Sequence, residues 1–215
     1  MKKLIVEFIG TFLLVFTIGC AVVSKNPNAE LAIGAVLMVM VFAGGHISGA
    51  HYNPAVSLAV FIRGKIGSGE LIQYWIVQLV GGLLGAIMSH VITAKDGAVE
   101  MAPGADVTPM IAVLAEALGT FALAYVVLNV ATSKGTAGNS FYGLAIGFTV
   151  FAMAVSLGGI SGGAFNPAVG LGRTIADTIV ATGKSTANWW IYIVGPLIGG
   201  ALAGIVFRML NPEDR

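Results

Sequence analysis

Charge is scarce in this chain. Only 10% of its 215 residues are Asp, Glu, Lys or Arg, against about 25% in an ordinary soluble domain, and this excludes a water-soluble globular protein. There is one cysteine, Cys20, so an internal disulfide is excluded as well. No basic run exists and the net charge is +1, which removes nucleic acid as a partner. No nucleophile, base and orienting group are clustered, so nothing suggests an enzyme. The glycines lack the lysine and strand context of a phosphate loop, and nothing calls for a cofactor.

What is present is apolar sequence, 57% of the chain. With about 20 residues needed to cross a bilayer, the length suffices for six or seven spans and leaves no room for a soluble domain. The spans are expected at 4–23, 31–48, 71–93, 111–131, 141–157 and 188–209. Breakers separate them: Asn26-Pro27-Asn28, Gly64 to Gly69, Asp96 to Pro109, Ser133 to Asn139 and Thr182 to Thr186. Met1-Lys2-Lys3 before an apolar stretch resembles a signal peptide, and Thr17 to Cys20 faintly resembles a lipoprotein site. That stretch is full spanning length and contains Glu7, so it reads as the first transmembrane helix.

Two shorter apolar pieces, 53–62 and 166–176, each begin with Asn-Pro-Ala: Asn53-Pro54-Ala55 and Asn166-Pro167-Ala168. Asn is a preferred N-cap and Pro suits the first helical position, so both are helix starts. Each is too short to cross and is expected as a half-helix in a re-entrant loop. An internal repeat surrounds them. Glu7-Phe8-Ile9-Gly10-Thr11-Phe12 matches Glu116-Ala117-Leu118-Gly119-Thr120-Phe121, Leu31 to Gly34 recurs as Leu144 to Gly147, and Gln78 to Gly82 pairs with Pro196 to Gly200. The offset drifts from 109 through 113 to 118. Each half, about 1–105 and 106–215, holds three spans and one half-helix, and because three is odd the second half is inverted. The fold class expected is an all-α membrane protein of six transmembrane helices and two re-entrant half-helices, in a single domain.

Charge asymmetry sets the orientation. With the N-terminus inside, Lys2, Lys3, Arg63, Lys65, Lys134, Arg208 and Arg215 face the cytoplasm, and Lys25, Lys95, Arg173 and Lys184 face outward, which favours both termini in the cytoplasm of a cell membrane. Trp75, Trp189 and Trp190 read as interfacial anchors. Inversion brings the two half-helix N-termini together near the midplane, each carrying roughly half a positive charge. Cations are repelled there, while a neutral molecule with an oxygen lone pair accepts hydrogen bonds from Asn53 and Asn166.

On the paired Asn-Pro-Ala motifs, Gly45-His46-Ile47-Ser48-Gly49-Ala50-His51 before the first, and the Glu-x-x-Gly-Thr-Phe start of each half, the whole chain resembles the major intrinsic protein family of aquaporins and glycerol facilitators. The resemblance implies a passive channel for water and small neutral solutes such as glycerol, urea or ammonia, assembled as a homotetramer in the lipid bilayer with one pore per subunit. It also implies that Glu7 and Glu116 brace the re-entrant loops. His46 and His51, five residues apart without a third ligand, are expected to brace a loop rather than hold a metal. Coupled transport, the alternative for an inverted repeat, would need ionisable groups along the path, and Glu7 and Glu116 are the only carboxylates within spans.

The chain departs from the family at its outer constriction. Where an Arg usually follows the second Asn-Pro-Ala stands Val169, and motif spacing puts Ile33, Ala154 and Gly163 at the other three positions. All four are apolar, so a wider and less polar filter is expected. Gly170 and Tyr192-Ile193 match neither the water-selective nor the glycerol-conducting pattern. Arg173, four residues beyond Val169 and about 6 Å along the helix, is a candidate for the outer vestibule; in that alternative it substitutes for the missing Arg in a strict water channel. A surface pair with Asp177 competes with that role.

Overall fold

Six helices stay apolar for the depth of a bilayer. A computed structural model describes residues 1–93 and 100–214; Lys95, Asp96 and Arg215 lie outside the described residues. Among these residues the elements are α1 Lys2–Val23, α2 Ala29–Ser48, α3 Pro54–Arg63, α4 Ser68–Thr93, α5 Pro109–Val127, α6 Tyr142–Ser161, α7 Pro167–Val180 and α8 Ile191–Leu210. Six are long and apolar enough to cross a membrane, with α5 continuing through a π-helical turn at Leu128–Thr132. Their outward faces are bare hydrocarbon: Ile72, Ile76, Val80, Leu84 and Met88 form one exposed stripe along α4, a surface suited to lipid rather than water.

The two halves pack as inverted copies. Helix α1 lies against α4 as α5 lies against α8, while α2 and α6 meet on the axis between the halves. At that crossing a Cβ on Gly34 would come 2.7 Å from the Gly147 carbonyl, so only two glycines let the backbones touch. Half-helices are gripped in the same way. A Cβ on Gly82 of α4 would collide with the Ala168 carbonyl, and one on Gly200 of α8 with the Ala55 carbonyl. Each long helix thus rests directly on the first turn of a half-helix. Gly82→Val or Gly200→Val is therefore expected to destabilise the fold by about 1–3 kcal/mol or more through overpacking. The check is thermal unfolding in detergent, with Gly69→Ala, where a Cβ meets nothing within 4 Å, as the silent control.

Three expectations need correcting. The second half-helix runs four residues past 176, to Val180, and α8 starts at Ile191, after the turn that holds Trp189 and Trp190. Trp75 is not simply an interfacial anchor: its indole N–H donates to the Pro54 carbonyl at 2.9 Å, reaching the start of α3.

Both termini lie on one face. Lys3 pairs with Glu70 at 2.7 Å, and Arg63, buried at the end of α3, pairs with Asp214 at 2.6 Å while its guanidinium stacks over Phe207. The Lys134 N–H, with Ser133 and Arg63 beside it, holds the Asp214 carboxyl below the usual carboxylate range. Opposite, on the far face, the Asp177 carboxylate at the end of α7 accepts the N–H groups of Thr182 and Ser185 and the Thr182 hydroxyl. That occupation overturns the Arg173–Asp177 surface pair: Asp177 caps its own loop.

Candidate functional site: a lumen closed around two asparagines

Asn53 and Asn166 are extended in backbone, and each side-chain oxygen caps its own half-helix, on Ala55 N at 2.8 Å and Ala168 N at 2.9 Å. Their amide nitrogens cross over. Asn53 Nδ2 donates to the Phe165 carbonyl, and Asn166 Nδ2 donates to the Tyr52 carbonyl, both at 2.9 Å. The half-helices are thus tied N-terminus to N-terminus by a reciprocal pair of hydrogen bonds. Each amide keeps a second N–H, because a carboxamide has two.

The residues whose carbonyls receive those bonds are strained. Tyr52 and Phe165 sit at φ of 50° and 48°, a left-handed conformation that costs a bulky residue of order 1–3 kcal/mol. The repeated Glu-x-x-Gly-Thr-Phe motif explains how they are held. Glu7 Oε1 accepts the Ser48 hydroxyl and the His51 N–H, and Oε2 accepts the Tyr52 N–H and the Gln78 amide. Glu116 accepts the Ser161 hydroxyl and the N–H groups of Ala164 and Phe165. Gly10 and Gly119, three residues on, leave room for the rings of Tyr52 and Phe165, which a Cβ would strike.

Several of these partners escaped the sequence reading. Tyr74 and Tyr192 donate their hydroxyls to the Ser48 and Ser161 carbonyls at 2.7 and 2.8 Å, closing the ends of α2 and α6. The signal was available, since Ser48/Ser161 and Tyr74/Tyr192 recur at the repeat offsets of 113 and 118. Gln78 and Ser57 gave no such signal, because the second half has Pro196 and Gly170 in their places.

One narrow lumen is lined by both asparagines together with Ile33, Ala154, Gly163 and Val169, so all four expected constriction residues share its wall. Four residues on the wall, Ala50, His51, Gly163 and Ala164, have carbonyls that accept no hydrogen bond among the described residues. The volume open to the centre of a water molecule is about 30 Å³, where one water needs about 10–15 Å³. That is room for about two to three waters.

The remaining candidates separate. His51 lines the lumen and hydrogen-bonds Ser57 Oγ through Nδ1 at 3.0 Å. His46 braces nothing: it lies exposed near the end of α2, without a hydrogen bond among the described residues, on a 440 Å³ vestibule at the face of the termini. It belongs to the last turn of a helix rather than to the loop. Arg173 is buried, its Nε has no hydrogen-bond partner among the described residues, and it is not on the lumen wall that Val169 helps form. A strict water channel with Arg173 in the filter is therefore not favoured. No group of three or more metal-ligating side chains occurs among the described residues.

A bore between two opposed half-helix ends, inside six spanning helices built as inverted halves, defines a channel of the aquaporin class. The major intrinsic protein family model matches residues 1–207, and this chain belongs to that family. It is 34% identical to glycerol uptake facilitator protein-like 6 of Lactiplantibacillus plantarum over the full length of both chains. It is 33% identical to aquaporin AqpM of Methanothermobacter marburgensis, covering 99% of this chain and 98% of that one. Mouse aquaporin-8 is 34% identical over the whole of this chain and 84% of its own. The crystal structure of the aquaglyceroporin from Plasmodium falciparum shares the fold at a TM-score of 0.88, with 22% identity over 99% of this chain and 97% of that one. The protein is a passive membrane channel for water and small neutral solutes, and not an enzyme.

Proposed function

We propose that the channel conducts glycerol, urea or ammonia alongside water, and that the carrying observation is the chemistry of the lumen at Ile33, Ala154, Gly163 and Val169. None of these side chains offers a donor or a charge. In aquaporin-type channels generally, selectivity comes from pore diameter, lining donors and half-helix dipoles; here the second of these is missing from the outer ring. Polar guidance falls to the second N–H of Asn53 and of Asn166 at the midplane and to the backbone carbonyls on either side. Pro54-Ala55 and Pro167-Ala168 serve by starting the half-helices whose partial positive ends resist cations.

The chain is proposed to be one channel domain of two inverted halves, working as a homotetramer of four independent pores in the cell membrane with both termini cytoplasmic. The excess of Lys and Arg on the face of the termini supports that orientation. Coupled transport has little support, since Glu7 and Glu116 are consumed by loop donors and neither lines the lumen.

Stopped-flow measurements on proteoliposomes with water, glycerol, urea and ammonia side by side test this. Flux of at least one solute well above protein-free vesicles, linear in its gradient and indifferent to imposed proton or sodium gradients, is expected. A channel that passes water and excludes all three solutes overturns the reading.

A further inference from the structure

The inverted repeat maps every lumen residue onto a partner in the other half, and the outer constriction has a mirror image. At the offset of 113, Ile33 corresponds to Ile146, Val169 to Val56, Gly163 to Ala50 and Ala154 to Val41. The structure puts three of the mirror residues in place. Ile146, Ala50 and Val56 line the same lumen, whereas Val41 is buried against the separate 440 Å³ vestibule and is not on the lumen wall. Eight residues along α2 and α6 separate the two rings, about 12 Å of helix.

In a relative with a filter arginine, these rings would differ in charge. Here both are aliphatic, and they differ only in bulk. Ile matches Ile and Val matches Val on the lumen wall, but Ala50 has one carbon more than Gly163, and the imidazole of His51 stands where the second half has the methyl of Ala164. The inner layer is the fuller of the two, since in the outer layer Ile18 exceeds its mirror Val127 by only a single carbon.

Polarity is asymmetric in the same direction. Beside the inner ring stands His51, whose mirror is Ala164. Its hydrogen-bond state follows from the chain behind it. Gln78 Nε2 spends its two hydrogens on Glu7 Oε2 and Ser57 Oγ, at 2.9 and 3.0 Å. Ser57 Oγ also hydrogen-bonds His51 Nδ1 at 3.0 Å. That leaves His51 Nε2 without a protein partner among the described residues, and His51 lines both the lumen and a second vestibule of 410 Å³ at the face of the termini. The second half cannot build this relay, having Ala164, Gly170 and Pro196 at the three positions.

We propose that the selective layer of this channel has moved to the face of the termini. There Ala50, His51, Val56 and Ile146 set the size limit, and the imidazole of His51 is the polar side chain that a passing solute meets in that layer. The outer ring, which governs a channel carrying the filter arginine, is here the looser of two aliphatic rings. The proposal rests on the channel reading above, but it has a separate test, because it concerns which ring limits a flux that the channel already carries.

The informative variant is Ala50→Gly with His51→Ala, which gives the inner layer the composition the outer layer has at Gly163 and Ala164. Ala50 sits at φ of 51° and its mirror Gly163 at 67°, so glycine relieves strain there. Proteoliposome permeability to glycerol and urea, divided by that to water, is expected to rise about fivefold or more, the scale at which one to three carbons discriminate in an apolar pocket. Val169→Ala in the outer ring is expected to change that ratio by less than about twofold, since it widens a layer that is not limiting. Isosteric variants guard against misfolding: Val56→Thr adds a hydroxyl at the barrier and raises urea flux relative to water by more than the mirror variant Val169→Thr does. If the outer variants move the ratio as much as the inner ones, or more, the selective layer is not where we place it. A channel that conducts no solute at all, in wild type and in every variant, would instead refute the solute-conducting function itself.

Discussion

Glu7→Ala is expected to yield almost no folded channel. The carboxylate is fully buried and accepts hydrogen bonds from the Ser48 hydroxyl, two backbone N–H groups and the Gln78 amide. Stranding each of those four donors costs about 1–3 kcal/mol, and together they rival the roughly 5–15 kcal/mol that holds a whole domain folded. The loss also releases Tyr52 from its left-handed conformation, and with it the carbonyl that accepts from Asn166. Glu7→Gln preserves shape but turns one acceptor into a donor facing donors, so it too is expected to fail, though less completely. Glu116 satisfies three donors rather than four, and Glu116→Gln should be the milder of the two. The yield of monodisperse protein in detergent and the water permeability of reconstituted vesicles measure the ranking. A Glu7→Gln protein that purifies and conducts like wild type would show that the loop does not depend on this carboxylate.

Val169→Arg is expected to cut solute flux about tenfold or more while reducing water flux by only a few fold, since a guanidinium narrows the ring and supplies donors that water satisfies more readily than larger solutes do. It should also lower any cation leak, by adding a fixed positive charge to those of the half-helix ends. Arg173 complicates the experiment, because it lies one turn further along α7 and is itself buried. Two guanidiniums carried one helical turn apart, one of them buried, repel. The substitution is therefore made both alone and with Arg173→Ala, and the double variant should show the cleaner shift. Unchanged glycerol and urea flux in a folded double variant would show that the position after the second Asn-Pro-Ala does not face the path of the solute.

These two expectations draw on different depths of reading. Val169 is legible in the sequence, because the motif is local and the family resemblance assigns the outer constriction to the residue that follows the second Asn-Pro-Ala. The donor set of Glu7 is not. A carboxylate in an apolar span announces that it has polar partners, yet Ser48, His51 and Tyr52 are more than forty residues away in sequence, and Gln78 is contributed by a third helix. Arg173 and Asp177 show how spacing can mislead. Four residues apart on one helix, they are placed to pair, but Asp177 lies at a helix end where loose backbone N–H groups of its own loop are closer and better aimed. His46 misled for a related reason. Its neighbours in sequence are glycines, which read as loop, while in the folded chain those glycines are the last turns of α2 packed against Tyr52 and Tyr142.

The sequence by itself determined that this chain lives in a membrane, that it has six spans and two half-helices, and that its halves are inverted. Composition, span length and the parity of a repeat are properties of a linear string, and the physics of burying backbone in lipid leaves few ways to satisfy them. Only the tertiary structure decided what the repeat does not share. The crossed bonds between Asn53 and Asn166, the strained aromatics that accept them and the relay from Glu7 to His51 in one half alone all depend on where side chains from distant helices come to rest. Hydrogen bonds are short-ranged and directional, so the pairing of a donor with its acceptor becomes visible only once packing has brought the two within about 3 Å.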